Sequence, residues 1–162
     1  MRALRDGPRP PGGARVERLT ALEDARFDAY EREFAAWRAQ AGVLAGHVFP
    51  EARASLERCL VDGALVSLTV DGAWAGLAGA RRATLWALEG YEVVEELVTA
   101  AFRGRGLAPS LQRGLIDALD PGHDLQLFGT IHAANAPSLA TARRCGRQVV
   151  ATTWFVPLAA AT

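Results

Sequence analysis

Apolar residues near the start of the chain recur with the spacing of a helix. Those spaced three, four and three residues apart are Phe27, Tyr30, Phe34 and Trp37. This stripe predicts a helix over residues 21–41 that packs one face against a core. Thr20 is expected to be its N-cap, with Glu23 as the capping-box partner. After a loop, Pro50 is expected to open a second helix that continues to residue 61.

The pattern in the middle of the chain changes to strands. Residues 64–70 and 73–85 are strand-like, and Asp71-Gly72 between them is a strong tight-turn signal. Residues 91–99, rich in Val, Leu and Glu, form a third such stretch. These segments predict three consecutive strands, of which the first two form a hairpin.

Helix and strand alternate in the last third of the chain. We expect a helix over 109–119, a strand over 124–131, a helix over 136–145 and a strand over 148–157, with a short first strand at 16–19. The order is β-α-α-β-β-β-α-β-α-β, without an internal repeat. It predicts a single α/β domain with a mixed, mostly antiparallel central sheet and helices on both faces.

Composition narrows the range of partners. The 162 residues are 50% hydrophobic and 22% charged, as in an ordinary globular domain. The 18 basic and 18 acidic residues give a formal net charge of +0, which removes the usual electrostatic argument for nucleic acid or a membrane surface. No apolar run approaches about 20 residues and no signal peptide is evident, so we expect a cytoplasmic protein. Residues 1–14 are expected to be a flexible tail before one domain over 15–162.

The segment 103–108 carries the most specific chemistry. Its sequence is Arg-Gly-Arg-Gly-Leu-Ala, between a predicted strand and a predicted helix. The first N–H groups of a helix attract anions, the glycines let the backbone approach one closely, and Arg103 and Arg105 add positive charge. A pyrophosphate group fits this segment, and a solvated turn fits it equally well. It is neither a Walker loop nor a dinucleotide fingerprint.

A second block lies downstream, at residues 135–146. It predicts a helix that starts with Asn135 and ends at a glycine after basic residues. Arg103-x-x-Gly106-x-Ala108 resembles the Gln/Arg-x-x-Gly-x-Gly/Ala signature of the GCN5-related N-acetyltransferase (GNAT) family, and the second block resembles the Asn-led helix of the same family. The resemblance is firm over residues 91–157 and extends weakly back to residue 16.

The resemblance implies acetyl-CoA as the acyl donor, an amine as the acceptor and no metal. It also implies a splay between the fourth and fifth strands, where the pantetheine arm pairs with the main chain of the fourth strand. The residues that would bind the donor are Leu97, Val98, Thr99, Arg103, Gly104, Arg105, Gly106, Leu107, Ala108, Ser110, Asn135 and Ser138. Asn135 would equally serve as the N-cap of its own helix.

Attack by a primary amine needs a base, because an ammonium ion cannot attack a thioester. The candidate bases are Glu92, Glu96 and His132. Glu92 best matches the position of the glutamate base in histone-acetylating relatives, and His132 lies at the end of the following strand. By the two-residue period of a strand, Glu92 and Glu96 share one side, and Glu95 points to the other side unless a bulge intervenes.

Two positions depart from the family pattern. Ala142 stands where many members have a Tyr that acts as general acid, and Arg147 stands where a hydrophobic residue is usual. Three functions therefore stay open: an active N-acetyltransferase, a catalytically silent acyl-CoA-binding or sensing domain, and an anion-binding scaffold. The family also suggests a homodimer, which the last strand would support through Trp154, Phe155 and Val156. The sequence does not identify the acceptor amine.

Overall fold

The fold is built on one five-stranded sheet. The computed structural model describes residues 12–119 and 126–153. The strands are β1 (Ala14–Arg18), β2 (Leu65–Val70), β3 (Ala73–Leu85), β4 (Leu88–Val98) and β5 (Gln126–Phe128). They lie in this order across the sheet, antiparallel from β1 to β4 and parallel between β4 and β5. The predicted α/β fold class, with a mixed and mostly antiparallel sheet, is confirmed.

Helices cover both faces of this sheet. They are α1 (Asp24–Arg38), α2 (Arg53–Val61), α3 (Leu107–Ala118) and α4 (Ala136–Arg144). The helices α1 and α2 share a core with one face, which includes Tyr30, Leu56 and Leu77. The other face packs on α3 through a core that includes Leu111, Leu115 and Ile116. The sheet therefore separates an α1/α2 side from an α3 side.

The turn between β2 and β3 follows the prediction from Asp71-Gly72. Asp71 has a φ of 49° and Gly72 a φ of 83°. Two successive positive φ values are what a type I′ hairpin turn requires. The predicted hairpin is confirmed.

The start of α1 differs from the prediction. The helix begins at Asp24, and Glu23 is its N-cap, in an extended conformation and without a side-chain capping bond. The capping box expected between Thr20 and Glu23 is therefore wrong. Residues 19–23 between β1 and α1 are not helical, so the helix begins three residues later than the predicted bound at residue 21 and still contains the whole apolar stripe.

The start of α2 also falls later than predicted, at Arg53 rather than at Pro50. The Glu51 N–H donates to the hydroxyl oxygen of Tyr30 in α1, at 2.6 Å. This bond holds the segment before α2 against α1. A contact between residues so far apart in sequence leaves no local signal.

The last predicted strand, residues 148–157, is not formed over 148–153. Val149 and Val150 are 65% and 74% exposed, so this segment buries little apolar surface that would hold it as a strand. The remainder of that strand lies outside the described residues, as do residues 1–11 of the predicted tail. No helix in the described part of the chain is long and apolar enough to cross a membrane.

Candidate active site

The outer edge of β4 is open over its second half. The strand β5 pairs with β4 only from Gly90 to Glu92 and ends at Phe128. Within residues 12–119 and 126–153, no strand pairs with this edge beyond Glu92, although β4 continues to Val98. This is the splay between the fourth and fifth strands that the resemblance implies. It leaves backbone groups available to an extended ligand.

Alternate residues of β4 turn their backbone groups to opposite edges. The Thr99 N–H donates across to β3 at 2.9 Å, and the Leu97 carbonyl oxygen lies against Gly76 of β3. Val98 therefore faces the open edge, where its carbonyl oxygen accepts a hydrogen bond from Arg103 Nε at 2.9 Å. The structure thus narrows the predicted backbone contacts, because Leu97 and Thr99 face β3 and only Val98 faces the splay.

The glycine loop lies between this edge and α3. Gly104 and Gly106 have φ values of 75° and 71°, in the left-handed region that favours glycine. A Cβ built on either residue would meet no atom within 4 Å, so the space beside the loop is open. Gly106 is the N-cap of α3 and has no side chain to occupy the first N–H groups of the helix. Because Pro109 has no N–H, the free donors belong to Gly106, Leu107 and Ala108.

Both arginines of the loop are exposed and have defined contacts. Arg103 bonds to the Val98 carbonyl, and the Arg105 guanidinium lies over the Phe102 ring, 5.0 Å from its centre. Neither contact involves an acidic side chain. Among the described residues, both guanidinium groups thus keep their positive charge on the loop that leads into α3, as an anion site requires.

The other side chains predicted to bind the acyl donor are buried or already hydrogen-bonded. Ser110 is 2% exposed, and its hydroxyl has no hydrogen-bond partner among the described residues. Asn135 caps α4, because its Oδ1 accepts the Ser138 N–H at 3.3 Å. The capping role of Asn135 is confirmed. Contacts of Ser110, Asn135 and Ser138 with a donor stay predictions.

A β-bulge decides where the glutamates of β4 point. The register with β3 shifts between Gly79 and Ala80, which leaves Val94 as an extra residue in the ladder. Val94 packs in the core of the α1/α2 side, and the adjacent Glu95 bonds to α1 on the same side. Glu96 bonds to α3 on the other side.

The prediction that Glu92 and Glu96 share one side of the strand is wrong. Val93 packs in the core of the α3 side, so Glu92 faces away from α3, as Glu95 does. Arg81 pairs with Glu92 across the ladder, and its guanidinium lies 2.9 Å from the carboxylate. The bulge is the reason, because it reverses the alternation of side chains between Val93 and Glu96.

Glu95 belongs to a buried polar cluster that sequence reasoning missed. One carboxylate oxygen accepts a hydrogen bond from the Tyr30 hydroxyl, and the other accepts the Glu96 N–H at 2.9 Å. Burial raises the pKa of Glu95 to about 7, and these hydrogen bonds limit the rise. Burial and the charge of Glu95 also raise the pKa of Tyr30, so its hydroxyl stays protonated and acts as the donor.

Glu96 has its own partners on the α3 side. Gln112 Nε2 donates to its carboxylate at 2.7 Å. Burial raises the pKa of Glu96 to about 7, against the opposing effects of the Gln112 hydrogen bond and the positive charge of Arg147. Arg147 also donates to the Gly129 carbonyl, just after β5, at 3.4 Å. Arg147 therefore reaches across the splay, and its departure from the family pattern is the signal that could have located this cluster.

His132 is positioned by a contact between loops. It is exposed, and its ring stacks on that of His47, with centroids 4.9 Å apart. Its Nδ1 accepts the Ala134 N–H at 3.1 Å. The structure thus joins the segments before α2 and before α4 through this pair, and in the described residues it makes no contact between His132 and the glutamates of β4.

The residue at the position where many family members have a general-acid Tyr cannot donate a proton, because it is Ala142. This residue is 7% exposed and lies on the buried face of α4. Cys145 is also buried, its thiol lies 3.8 Å from the Pro109 carbonyl oxygen, and burial raises its pKa to about 11. A proton donor for a departing thiolate is therefore unassigned on α4.

The buried glutamates predict a loss of stability as the pH rises. Because the folded-state pKa values of Glu95 and Glu96 lie above the ordinary value of 4.5, the folded chain binds these protons more tightly than the unfolded chain. The resulting stabilisation is complete below about pH 4.5 and is lost as the pH rises to about 7. Between these pH values the free energy of unfolding of the wild type should fall by up to about 3 kcal/mol on account of Glu95. In Glu95→Gln this part of the fall should be absent, as measured by urea unfolding at several pH values. The same pH dependence in the variant and the wild type would contradict this assignment.

The architecture defines the class of the fold. The chain has the fold of the GCN5-related N-acetyltransferases, so the resemblance drawn from its sequence is confirmed at the level of the fold. The ribosomal-protein-S18-alanine N-acetyltransferase of Escherichia coli is 21% identical with a TM-score of 0.57, over 82% of this chain and 76% of that one. No protein-family model matches the chain, and no curated protein matches its sequence.

Two similar structures contain coenzyme A analogues. Naa50 of Arabidopsis thaliana, in complex with the bisubstrate analogue CoA-Ac-MVNAL, is 12% identical with a TM-score of 0.56, over 83% of this chain and 82% of that one. AAC(6')-Iy, in complex with the bisubstrate analogue CoA-S-monomethyl-acetylneamine, is 16% identical with a TM-score of 0.56, over 91% of this chain and 99% of that one.

Proposed function

We propose that this chain is an acetyl-CoA-dependent N-acetyltransferase that moves an acetyl group to a primary amine by direct attack. The observation that carries the proposal is that the open edge of β4 leads directly into the glycine loop at the start of α3. An extended pantetheine arm fits the edge and a pyrophosphate fits the loop, and coenzyme A joins these two groups. The coenzyme A analogues in Naa50 and AAC(6')-Iy support the same donor.

The donor site would use main-chain groups more than side chains. The pyrophosphate would lie against the N–H groups of Leu107 and Ala108, with Arg103 and Arg105 supplying positive charge. The pantetheine arm would run along the open edge past Val98. Gly104 and Gly106 fit this role because the space beside them is open.

The acyl group would then lie near the bulge of β4. A bulge leaves backbone N–H groups outside the ladder, and such a group can polarise a thioester carbonyl. The bases proposed from the sequence are Glu92, Glu96 and His132. Of these, Glu96 lies on the open stretch of the strand, whereas Glu92 pairs with Arg81 and His132 belongs to a loop.

Ala142 favours a second candidate function, a catalytically silent acyl-CoA-binding or sensing domain. Such a domain would keep the edge and the loop and would not need an acid on α4. Location in the cytoplasm and formation of a homodimer stay predictions from the sequence. The residues expected to support the dimer lie outside the described part of the chain.

Acetyl-CoA is expected to raise the melting temperature of the protein. A ligand at 100 times its Kd contributes about 2.7 kcal/mol, which corresponds to roughly 5–10 °C for a chain of this size. ATP at the same concentration is the control, because it has phosphates and no pantetheine arm. Thiol release with a panel of primary amines then separates a transferase from a silent domain. An unchanged melting temperature at high acetyl-CoA would contradict both functions.

A further inference from the structure

The β4 bulge places a carboxylate and a disrupted stretch of backbone ladder next to each other. Val94 is the extra residue, so the N–H groups free of the ladder lie at or beside it. Glu95 follows directly, and its side chain turns to the α1/α2 side. If such an N–H bound the thioester carbonyl of the donor, the Glu95 carboxylate would belong to the residue next to that N–H or to the same residue.

The α1/α2 side is also the side left for an acceptor. The proposed donor site occupies the open edge of β4 and the N-terminus of α3, so a second substrate reaches the bulge from the opposite side of the sheet. On that side the first ionisable group beside the bulge is Glu95. Glu96 faces α3 and is bonded to Gln112 there.

Tyr30 holds the Glu95 carboxylate in place. Its hydroxyl donates to one carboxylate oxygen and accepts the Glu51 N–H at 2.6 Å. The other carboxylate oxygen accepts the Glu96 N–H, and a carboxylate oxygen has a second lone pair that can accept a further donor. These two consecutive hydrogen bonds, from Glu51 to Tyr30 and from Tyr30 to Glu95, hold the carboxylate in place from the α1/α2 side.

We infer that Glu95 is the catalytic base of this chain and that Tyr30 is its positioning residue. The inference rests on the proposed acetyltransferase function and adds a base that the sequence did not single out. It also specifies the acceptor as a primary amine that arrives protonated from the α1/α2 side.

The proton balance of this step is simple. Glu95 takes one proton from the ammonium group, and the freed nitrogen forms a C–N bond with the thioester carbon. The C–S bond breaks and its electron pair leaves with sulfur. The second nitrogen proton passes to the thiolate or to solvent, and Glu95 returns its own proton to solvent. No oxidant or metal is needed for the balance.

The groups that face Glu95 support this role. They are Tyr30 of α1, Glu51 before α2, Cys59 of α2, which lies beside Gly79 opposite Glu95, and the Arg81–Glu92 ion pair farther along the same side. Burial raises the pKa of Cys59 to about 12, so this thiol stays neutral. A carboxyl whose pKa is about 7 is matched to proton transfer near neutral pH.

The test combines kinetics with a direct titration of the free protein. Glu95→Gln is expected to lower kcat by about 100- to 10,000-fold and to remove the acidic limb of the pH–rate profile. Tyr30→Phe is expected to move that limb to higher pH by about one unit, because the carboxylate loses a donor. Carbon-13 NMR titration of the glutamate carboxyls in the ligand-free chain should show the same displacement for Glu95.

Matched controls come from the same strand. Glu89→Gln changes an exposed glutamate of β4, and Tyr91→Phe changes the only other tyrosine, which is buried on the α3 side. Both are expected to keep the wild-type profile. Circular dichroism checks the fold of each variant.

Specific outcomes would overturn the inference. If the wild type transfers acetyl groups and Glu95→Gln keeps its kcat and acidic limb, Glu95 is not the base, while the proposed function stands. Loss of the limb in Glu92→Gln or Glu96→Gln instead would assign the role to that residue. A wild type that binds acetyl-CoA and transfers nothing to any amine overturns the transferase function together with this inference.

Discussion

Replacing Gly106 with Asp is expected to weaken acetyl-CoA binding by about 100-fold or more. The substitution places a carboxylate where two phosphates would lie, beside the free N–H groups of α3. It also forces a side chain onto a backbone with a φ of 71°. Both effects oppose binding of the donor, and isothermal titration calorimetry at constant salt would measure the Kd directly.

Two variants separate charge from backbone strain. Gly106→Asn has nearly the shape of Asp without the charge, so it is expected to bind acetyl-CoA more tightly than Gly106→Asp. Gly42→Asp is the positional control, because Gly42 also has a positive φ, of 56°, and open space around its Cβ position. It is expected to bind as the wild type does. Unchanged binding in Gly106→Asp would place the pyrophosphate elsewhere.

Gly76→Ala is expected to lower the free energy of unfolding by about 2–4 kcal/mol. A Cβ at Gly76 would lie 2.2 Å from the Leu97 carbonyl oxygen and 3.2 Å from the Val98 Cα. Both atoms are backbone, so β3 and β4 must move apart instead of a side chain rotating. The same displacement would disturb the open edge at Val98, and acetyl-CoA binding should weaken as well. Urea unfolding gives the stability.

Gly79→Ala is the matched control on the same strand. Its Cβ would meet Leu65 Cδ1 at 3.1 Å and Cys59 Sγ at 3.2 Å, both on side chains that can shift. We expect a clearly smaller loss of stability than for Gly76→Ala. Equal losses in the two variants would show that strand propensity, rather than contact with the Leu97 carbonyl, sets the cost.

The parts of the fold that were predictable depend on local pattern. The bounds of β3 and the Asp71-Gly72 turn follow from residues that are neighbours in sequence. The packing of the segment before α2 was not predictable, because it includes a hydrogen bond from Glu51 to Tyr30, 21 residues away. Propensity describes what a segment favours alone, and such contacts override it.

The candidate site divides in the same way. The glycine loop was readable because its glycines, its arginines and the start of α3 are contiguous. The side to which each β4 glutamate points was not predictable from the sequence. It depends on how β4 pairs with β3, and the sequence of one strand alone does not determine that register. A strict two-residue period places Glu95 on the side opposite Glu92 and Glu96, and the sequence pattern shows its partner Tyr30, 65 residues away, only as part of an apolar stripe.

The bulge at Val94 also bears on how such a site can arise in evolution. Without that residue, the side chains of β4 would alternate strictly and each would keep the face it has now. A single codon inserted into a regular strand would therefore produce this bulge. Such an insertion would move no buried side chain into solvent and no charge into the core, so the bulge would arise or disappear in one genetic step.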